Sequence, residues 1–352
     1  MDADPDRLQD FVGKIAGDLG VAMSASLVIL GDRLGLYKAL ADAGPSTSAE
    51  LAAKAGVHER NLREWLAAQA ASGYVGYDDA AGKFSLNPEQ TMVFADADSP
   101  AFMAGGFEVI SSMFQDEPKV AAAFTSGKGM GWHEHCACLF RGTERFFRPG
   151  YNANLVDSWI PALDGVEARL KEGVSVADVG CGHGASTILM AQAYPKSHFT
   201  GFDYHTPSVE RAREAARDAG VADRVSFETA SAKDFGGGGY GLVTIFDALH
   251  DMGDPVGAAR HIKDSLAPDG TFMLVEPNAS DHLGENLHPL GRIFYSASTM
   301  ICTPASMSQE VGLALGAQAG EARLTAVAKE AGFTHVRRAT ETPFNMVLEL
   351  RA

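Results

Sequence analysis

Apolar residues recur at helical spacing from about Asp6 to Ala43, with Leu27, Leu30, Leu34 and Leu40 on one stripe. Pro45-Ser46-Thr47-Ser48 breaks that pattern, and Ser48 reads as the N-cap of a helix over 49–55 that Gly56 ends. A second helix is expected over 59–72. The runs 73–77 and 83–86, turning at Asp78-Asp79, then read as a short hairpin. Helix, helix and hairpin at these lengths predict a winged helix. Irregular helical sequence continues from about 100 to 170.

The period changes at Val174. Short β-type runs at 174–179, 199–203, 225–229, 242–246 and 271–276 alternate with helical lengths, which predicts a parallel sheet with crossover helices. Two further runs, 333–339 and 344–350, turn around Glu341-Thr342-Pro343 as a closing antiparallel hairpin. The expected fold class is therefore α/β: a Rossmann-like, seven-stranded, mostly parallel sheet plus an N-terminal, mainly helical winged-helix domain. The expected divisions are 1–95 for winged helix and dimerisation, 96–170 for a helical linker and lid, and 171–352 for the sheet domain.

A length of 352 residues fits two domains better than one core. The formal net charge of -16 repels phosphate backbones and argues against nucleic acid as the main partner. The start, Met1-Asp2-Ala3-Asp4, lacks the basic and apolar regions of a secretory signal, and the early apolar stretch 21–30 reads as too short to cross a bilayer. Cys136, Cys138, Cys181 and Cys302 make no disulfide framework, so a cytoplasmic setting without membrane attachment is expected.

The strongest motif is Asp178-Val179-Gly180-Cys181-Gly182-His183-Gly184-Ala185. It ends one strand and opens a helix, and its glycines let backbone approach a ligand closely. The next strand ends at Asp203, where a carboxylate can grip two ribose hydroxyls. A dinucleotide also fits the pattern at Gly180, Gly182 and Ala185, so an NAD(P)-dependent oxidoreductase is one alternative. Three features favour S-adenosylmethionine (SAM). Asp178 suits an ammonium better than a pyrophosphate, the motif lies mid-chain after a helical region, and an antiparallel hairpin closes the sheet.

These residues resemble the class I SAM-dependent methyltransferase family from Val174 onward. The resemblance implies Asp178, Gly180, Gly182 and Gly184 at the methionyl end, Asp203 on the ribose, Ser231 and Ala232 near the adenine, and Phe246 and Asp247 beside the methionyl tail. The stretch Leu249-His250-Asp251 resembles the plant-type O-methyltransferases, which also carry a winged-helix-like dimerisation domain. In that family the histidine is the base and a glutamate ending the next strand orients it, which implies His250 and Glu276 here. A second family glutamate has its nearest match in Glu321, for which surface exposure is the preferred reading. The chain is similar, closer still, to bacterial winged-helix SAM methyltransferases.

Each position has a structural alternative: His250 could only cap the helix near Pro255, and Glu276 could only neutralise a neighbour. Tyr151 is expected to reach the methionyl carboxylate from a lid segment over 141–151. The long connection after the fifth strand offers Tyr295, Ser298, Met300 and Met307 as walls for a small-molecule methyl acceptor. Trp132 to Cys138 contains two histidines and two cysteines, but adjacent ligands fit no tetrahedral pattern, so no metal site is expected there. A SAM-binding winged-helix regulator is the other alternative. Against it, residues 45–90 hold Lys54, Arg60, Arg63 and Lys83 against Glu50, Glu59, Glu64, Asp78, Asp79 and Glu89. DNA is therefore not an expected partner. The surplus apolar surface of the N-terminal helices predicts a homodimer.

Overall fold

A computed structural model describes residues 3–352. The N-terminal elements are α1 (Pro5–Arg33), α2 (Leu36–Ala43), α3 (Ser48–Ala55), α4 (Glu59–Ala71), β1 (Gly76–Asp78), β2 (Lys83–Ser85) and α5 (Pro88–Phe94). Then follow α6 (Ala104–Ser126), α7 (Ala137–Asn154) and α8 (Val166–Glu172). The sheet region runs β3 (Ser175–Val179), α9 (Ala185–Ala193), β4 (His198–Asp203), α10 (Thr206–Asp218), β5 (Val225–Thr229) and β6 (Tyr240–Phe246). It continues through α11 (Pro255–Ser265), β7 (Leu266–Pro277), α12 (Pro289–Ala297), α13 (Thr303–Met307), α14 (Glu321–Glu330), β8 (His335–Glu341) and β9 (Asn345–Arg351).

The chain divides into two compact units. Among the described residues, one holds those from 3 to 111 together with Arg141–Pro149; the other holds Ser112–Phe140 and Gly150–Ala352. In the first, Val28, Leu36, Tyr37, Leu40, Leu51, Trp65 and Leu66 form a buried core. Tyr37 donates its hydroxyl to Gln69 Oε1 at 2.6 Å, which satisfies a polar group inside that core. Arg145 bridges Asp32 at 2.7 Å and Glu108 at 3.4 Å.

Two local expectations change here. The cap of α3 is Thr47, not Ser48: its hydroxyl accepts from the Glu50 N–H and the Glu50 carboxylate returns to the Thr47 N–H, a reciprocal capping box. The N-terminal apolar stretch is also longer than 21–30. Helix α1 has 29 residues and is, by length and composition, apolar enough to cross a membrane. Its Leu8, Phe11, Val12, Ile15 and Leu19 are exposed at i, i+3, i+4, i+7 and i+11, one face of a helix.

The second unit is built on a seven-stranded sheet in the order β5-β4-β3-β6-β7-β9-β8. The first five strands are parallel, and β9 runs antiparallel between β7 and β8. Strand β6 is buried along its whole length, and its near-continuous apolar sequence follows from helices covering both faces. Sequence order reverses between β3 and β6, so the carboxyl ends of these two strands border the crevice where α/β sheets bind ligands.

Candidate active site

The loop after β3 shows why glycine is required. Gly180, Gly182 and Gly184 all have positive φ, at 75°, 52° and 80°. A Cβ on Gly184 would lie 2.5 Å from the Phe227 ring, so this glycine lets α9 seat against β5. A Cβ on Gly182 would meet nothing within 4 Å, which leaves its backbone face open for close approach.

Three acidic groups surround that loop. Asp178 is fully buried and accepts hydrogen bonds from Ser186 (2.7 Å), Thr187 (2.6 Å) and Thr244 (3.0 Å). Burial pushes its pKa up, against the lowering effect of those hydroxyls. The observed work of Asp178 is to tie the start of α9 to β3 and β6. Asp203, at the end of β4, accepts from the Gly182 N–H at 2.9 Å and the His205 N–H at 2.8 Å, and burial raises its pKa also. Asp247, just past β6, has a φ of 49°, a left-handed conformation that is strained for a side chain. Asn345 donates to its Oδ1 at 2.8 Å, while its buried Oδ2 has no hydrogen-bond partner. Its pKa is raised well above the usual carboxylate range by burial and then by Glu276.

The remaining cofactor candidates gather around these groups. The buried Tyr151 packs on Phe246 at 5.2 Å between ring centres, and Asp247, Asp178 and Glu276 all act on its hydroxyl. Trp159, which the sequence did not mark, stacks on Phe246 at 6.4 Å and leaves its buried Nε1 without a hydrogen-bond partner. Ser231 follows β5, caps the Lys233 N–H with its hydroxyl at 3.1 Å, and donates its own N–H to Asp234. Ala232 packs on the edge of the main core.

Beyond Asp247 the chain makes a single 3-10 turn, Leu249–Asp251, that brings His250 under the sheet's carboxyl edge. His250 and Glu276 are both buried, and Nδ1 of the ring meets Glu276 Oε2 in a short hydrogen bond. The other Glu276 oxygen accepts the Leu249 N–H at 3.0 Å, so the carboxylate sets the turn as well as the ring. Burial alone would lower the His250 pKa, but Glu276 and Asp251 outweigh it and hold the ring well above its ordinary range. Nδ1 is engaged by Glu276, and Nε2 lies 3.4 Å from Asp251 Oδ1.

The long connection after β7 divides between two surroundings. Ser298 serves the fold, accepting the Ala317 N–H at 3.1 Å and facing the Thr303 hydroxyl at 3.3 Å. Tyr295 is half-buried, and its hydroxyl lies 3.5 Å from Asn286. Met300 packs beside Val120, Ala123 and Met130. Met307 lines an apolar cavity of about 310 Å³ with Ala123, Phe124, Thr299 and Pro304. Cys302, absent from the expected wall, is buried and meets His250 and Asp251.

The Trp132–Cys138 segment forms a packed cluster. His135 Nδ1 pairs with Asp116 Oδ2 at 3.0 Å, the Cys136 N–H donates to the same oxygen at 2.9 Å, and a local disulfide joins Cys136 to Cys138. The buried Nε2 of His135 has no hydrogen-bond partner, and Asp251 acts electrostatically on the ring. Desolvation nevertheless lowers the His135 pKa, against the raising effect of Asp116. Glu321 pairs with Arg338 at 2.7 Å, a half-buried ion pair at the start of α14.

This arrangement sets a glycine loop, acidic strand ends and a buried histidine–glutamate pair around a sheet switch point, the place where open α/β sheets bind ligands. Comparison with known proteins goes further. Residues 170–332 match the family profile described as a methyltransferase domain, and residues 22–95 match an Rv2258c-like winged HTH domain. The chain thus carries a methyltransferase domain after an N-terminal winged HTH domain.

Its fold is similar over the whole chain to human N-acetylserotonin methyltransferase in complex with SAM (TM-score 0.72, 16% identity, 100% of both chains). It is similar also to the mitomycin 7-O-methyltransferase MmcR (TM-score 0.69, 19% identity, 99% of this chain and 100% of that one). Among curated proteins, 27-O-demethylrifamycin SV methyltransferase of Amycolatopsis mediterranei is 35% identical over 107 residues, 30% of this chain and 39% of that protein. The chain spans 24% to 47% of the length of the first curated relatives it matches.

Proposed function

We propose that this protein transfers a methyl group from SAM to a nucleophilic atom of a small molecule, a hydroxyl or thiol in preference to an amine. The observation that carries the reading is the buried His250–Glu276 pair at the carboxyl edge of the sheet, beside the crevice bordered by β3 and β6. The residues present fit the cofactor on a structural ground: Asp247 keeps a buried, unpartnered carboxylate oxygen where an ammonium would satisfy it. Asp203 would hold the ribose, Gly180, Gly182 and Gly184 the methionyl end with Asp178 behind them, Ser231 and Ala232 the adenine, and Tyr151 and Phe246 the methionyl tail. Bound there, SAM supplies a methyl group already activated on a sulfonium.

The chain's own contribution is alignment and proton removal. His250 Nε2 accepts the proton of the acceptor hydroxyl or thiol. Glu276 fixes the ring through Nδ1 and stabilises the imidazolium that results. Tyr295, Ser298 and Met307 belong to the connection that would bound the acceptor. A screen of hydroxyl, thiol and amine acceptors with isotopically labelled SAM, read by mass spectrometry, tests this: labelled product from hydroxyl or thiol acceptors supports it, and transfer confined to amines removes the base from the mechanism.

The winged helix is better suited to self-association than to DNA. Arg60 and Arg63 on α4 are each paired with a glutamate one turn away, Glu64 and Glu59, so the helix that would enter a groove offers little positive charge. The apolar face of α1 is continuous over Leu8, Phe11, Val12, Ile15 and Leu19, and a second copy of this chain is its proposed partner.

A further inference from the structure

The turn that carries His250 also brings together donor atoms that the transfer step does not require. A ring nitrogen of His250, a carboxylate oxygen of Asp251 and the sulfur of Cys302 all lie within 4.8 Å of one another. His250 Nε2 is 3.4 Å from Asp251 Oδ1. Neighbouring residues seldom aim at one point, but the single 3-10 turn Leu249–Asp251 folds both side chains to the same side. Cys302 arrives from the end of the π-helical turn Ser298–Cys302, far along the connection after β7. His250 and Cys302 are buried, and Asp251 Oδ1 is buried without a hydrogen-bond partner.

A second observation is independent of that clustering. Glu276 holds Nδ1 of His250, so Nε2 is presented toward Asp251 and Cys302. A carboxylate on the far ring nitrogen is the support that metal-binding histidines generally have, because it fixes the ring's orientation and raises the basicity of the ligating nitrogen. A mixed nitrogen, oxygen and sulfur set suits a zinc-class cation; magnesium and calcium prefer oxygen alone.

We propose that His250, Asp251 and Cys302 form a binding site for a thiophilic divalent cation, with the fourth position taken by water or by a heteroatom of the acceptor. Binding forms one bond each to Nε2, a carboxylate oxygen and Sγ, and releases to solvent the Cys302 thiol proton and the proton that Nε2 carries when the ring is charged. The cation occupies the lone pair that a base would use. Cation binding and proton abstraction at His250 are therefore mutually exclusive, and the cation-bound protein is a switched-off state for any base-dependent transfer. The binding itself does not depend on the methyl-transfer reading.

The test is titration of the full chain with Co²⁺, following thiolate-to-cobalt charge-transfer absorption in the near ultraviolet. The expected result is a band that saturates at one equivalent, disappears in Cys302→Ser and persists in the Cys136→Ser/Cys138→Ser double variant. Glu276→Gln should weaken Co²⁺ binding about 10–100-fold. No band in the wild-type protein overturns the proposal without recourse to a variant, as does a band that survives Cys302→Ser. Calorimetry with S-adenosylhomocysteine is read separately, so loss of cofactor binding and loss of cation binding are told apart.

Discussion

His250 Nδ1 and Glu276 Oε2 form a buried hydrogen bond between the turn after β6 and the carboxyl end of β7, and Glu276 also holds the Leu249 N–H at 3.0 Å. One carboxylate thus sets both the position of the turn and the orientation of the ring. His250→Ala should lower turnover by roughly 10²–10⁴-fold, the usual share of a positioned base, while S-adenosylhomocysteine binding persists. Unchanged turnover with a hydroxyl acceptor would leave His250 as a structural cap.

The pH dependence follows from the same pair. The folded His250 pKa is raised well above its ordinary value by Glu276 and Asp251, which outweigh burial. Its basic form therefore grows in on the alkaline side, and kcat/KM should rise with pH through and beyond neutrality. The sign for stability is opposite. Stabilisation by the charged pair is fully present below the unfolded pKa of about 6.5 and is lost as pH climbs through the raised folded value. Thermal melting of wild type against His250→Gln across that range should show the difference narrowing toward high pH.

Gly184 tests the loop. Alanine there would place Cβ 2.5 Å from Phe227 at a φ of 80°, so both packing and backbone oppose it. A loss of about 1–3 kcal/mol in chemical denaturation is expected for Gly184→Ala. Unchanged stability would mean that α9 and β5 can separate at no cost.

Helix α1 tests the partner. Phe11→Glu with Ile15→Glu should convert a dimer to a monomer in light scattering while leaving the circular dichroism spectrum intact, since both side chains are exposed in the single chain. A wild-type protein that is monomeric at micromolar concentration contradicts the dimer.

What could be read from sequence was local or strand-terminal. The glycine loop was legible because a tight turn restricts residue type, and the positions of Asp203, His250 and Glu276 because each lies at or just past a strand end. Contacts between distant segments left no periodic trace. Asp116 meets His135 from α6, Cys302 reaches His250 from a long connection, and Trp159 stacks on Phe246 from a π-helical turn. The cap of α3 moved from Ser48 to Thr47 because both hydroxyls are suitable and only Thr47 lies three residues before Glu50.

Calorimetric titration of the purified protein with S-adenosylhomocysteine and with NADH tests the cofactor site most directly. Saturable binding of S-adenosylhomocysteine at one site per chain is predicted. Asp203→Ala should weaken it roughly 10–100-fold, the equivalent of losing charge-assisted hydrogen bonds. Heat from NADH with none from S-adenosylhomocysteine or SAM would contradict the account.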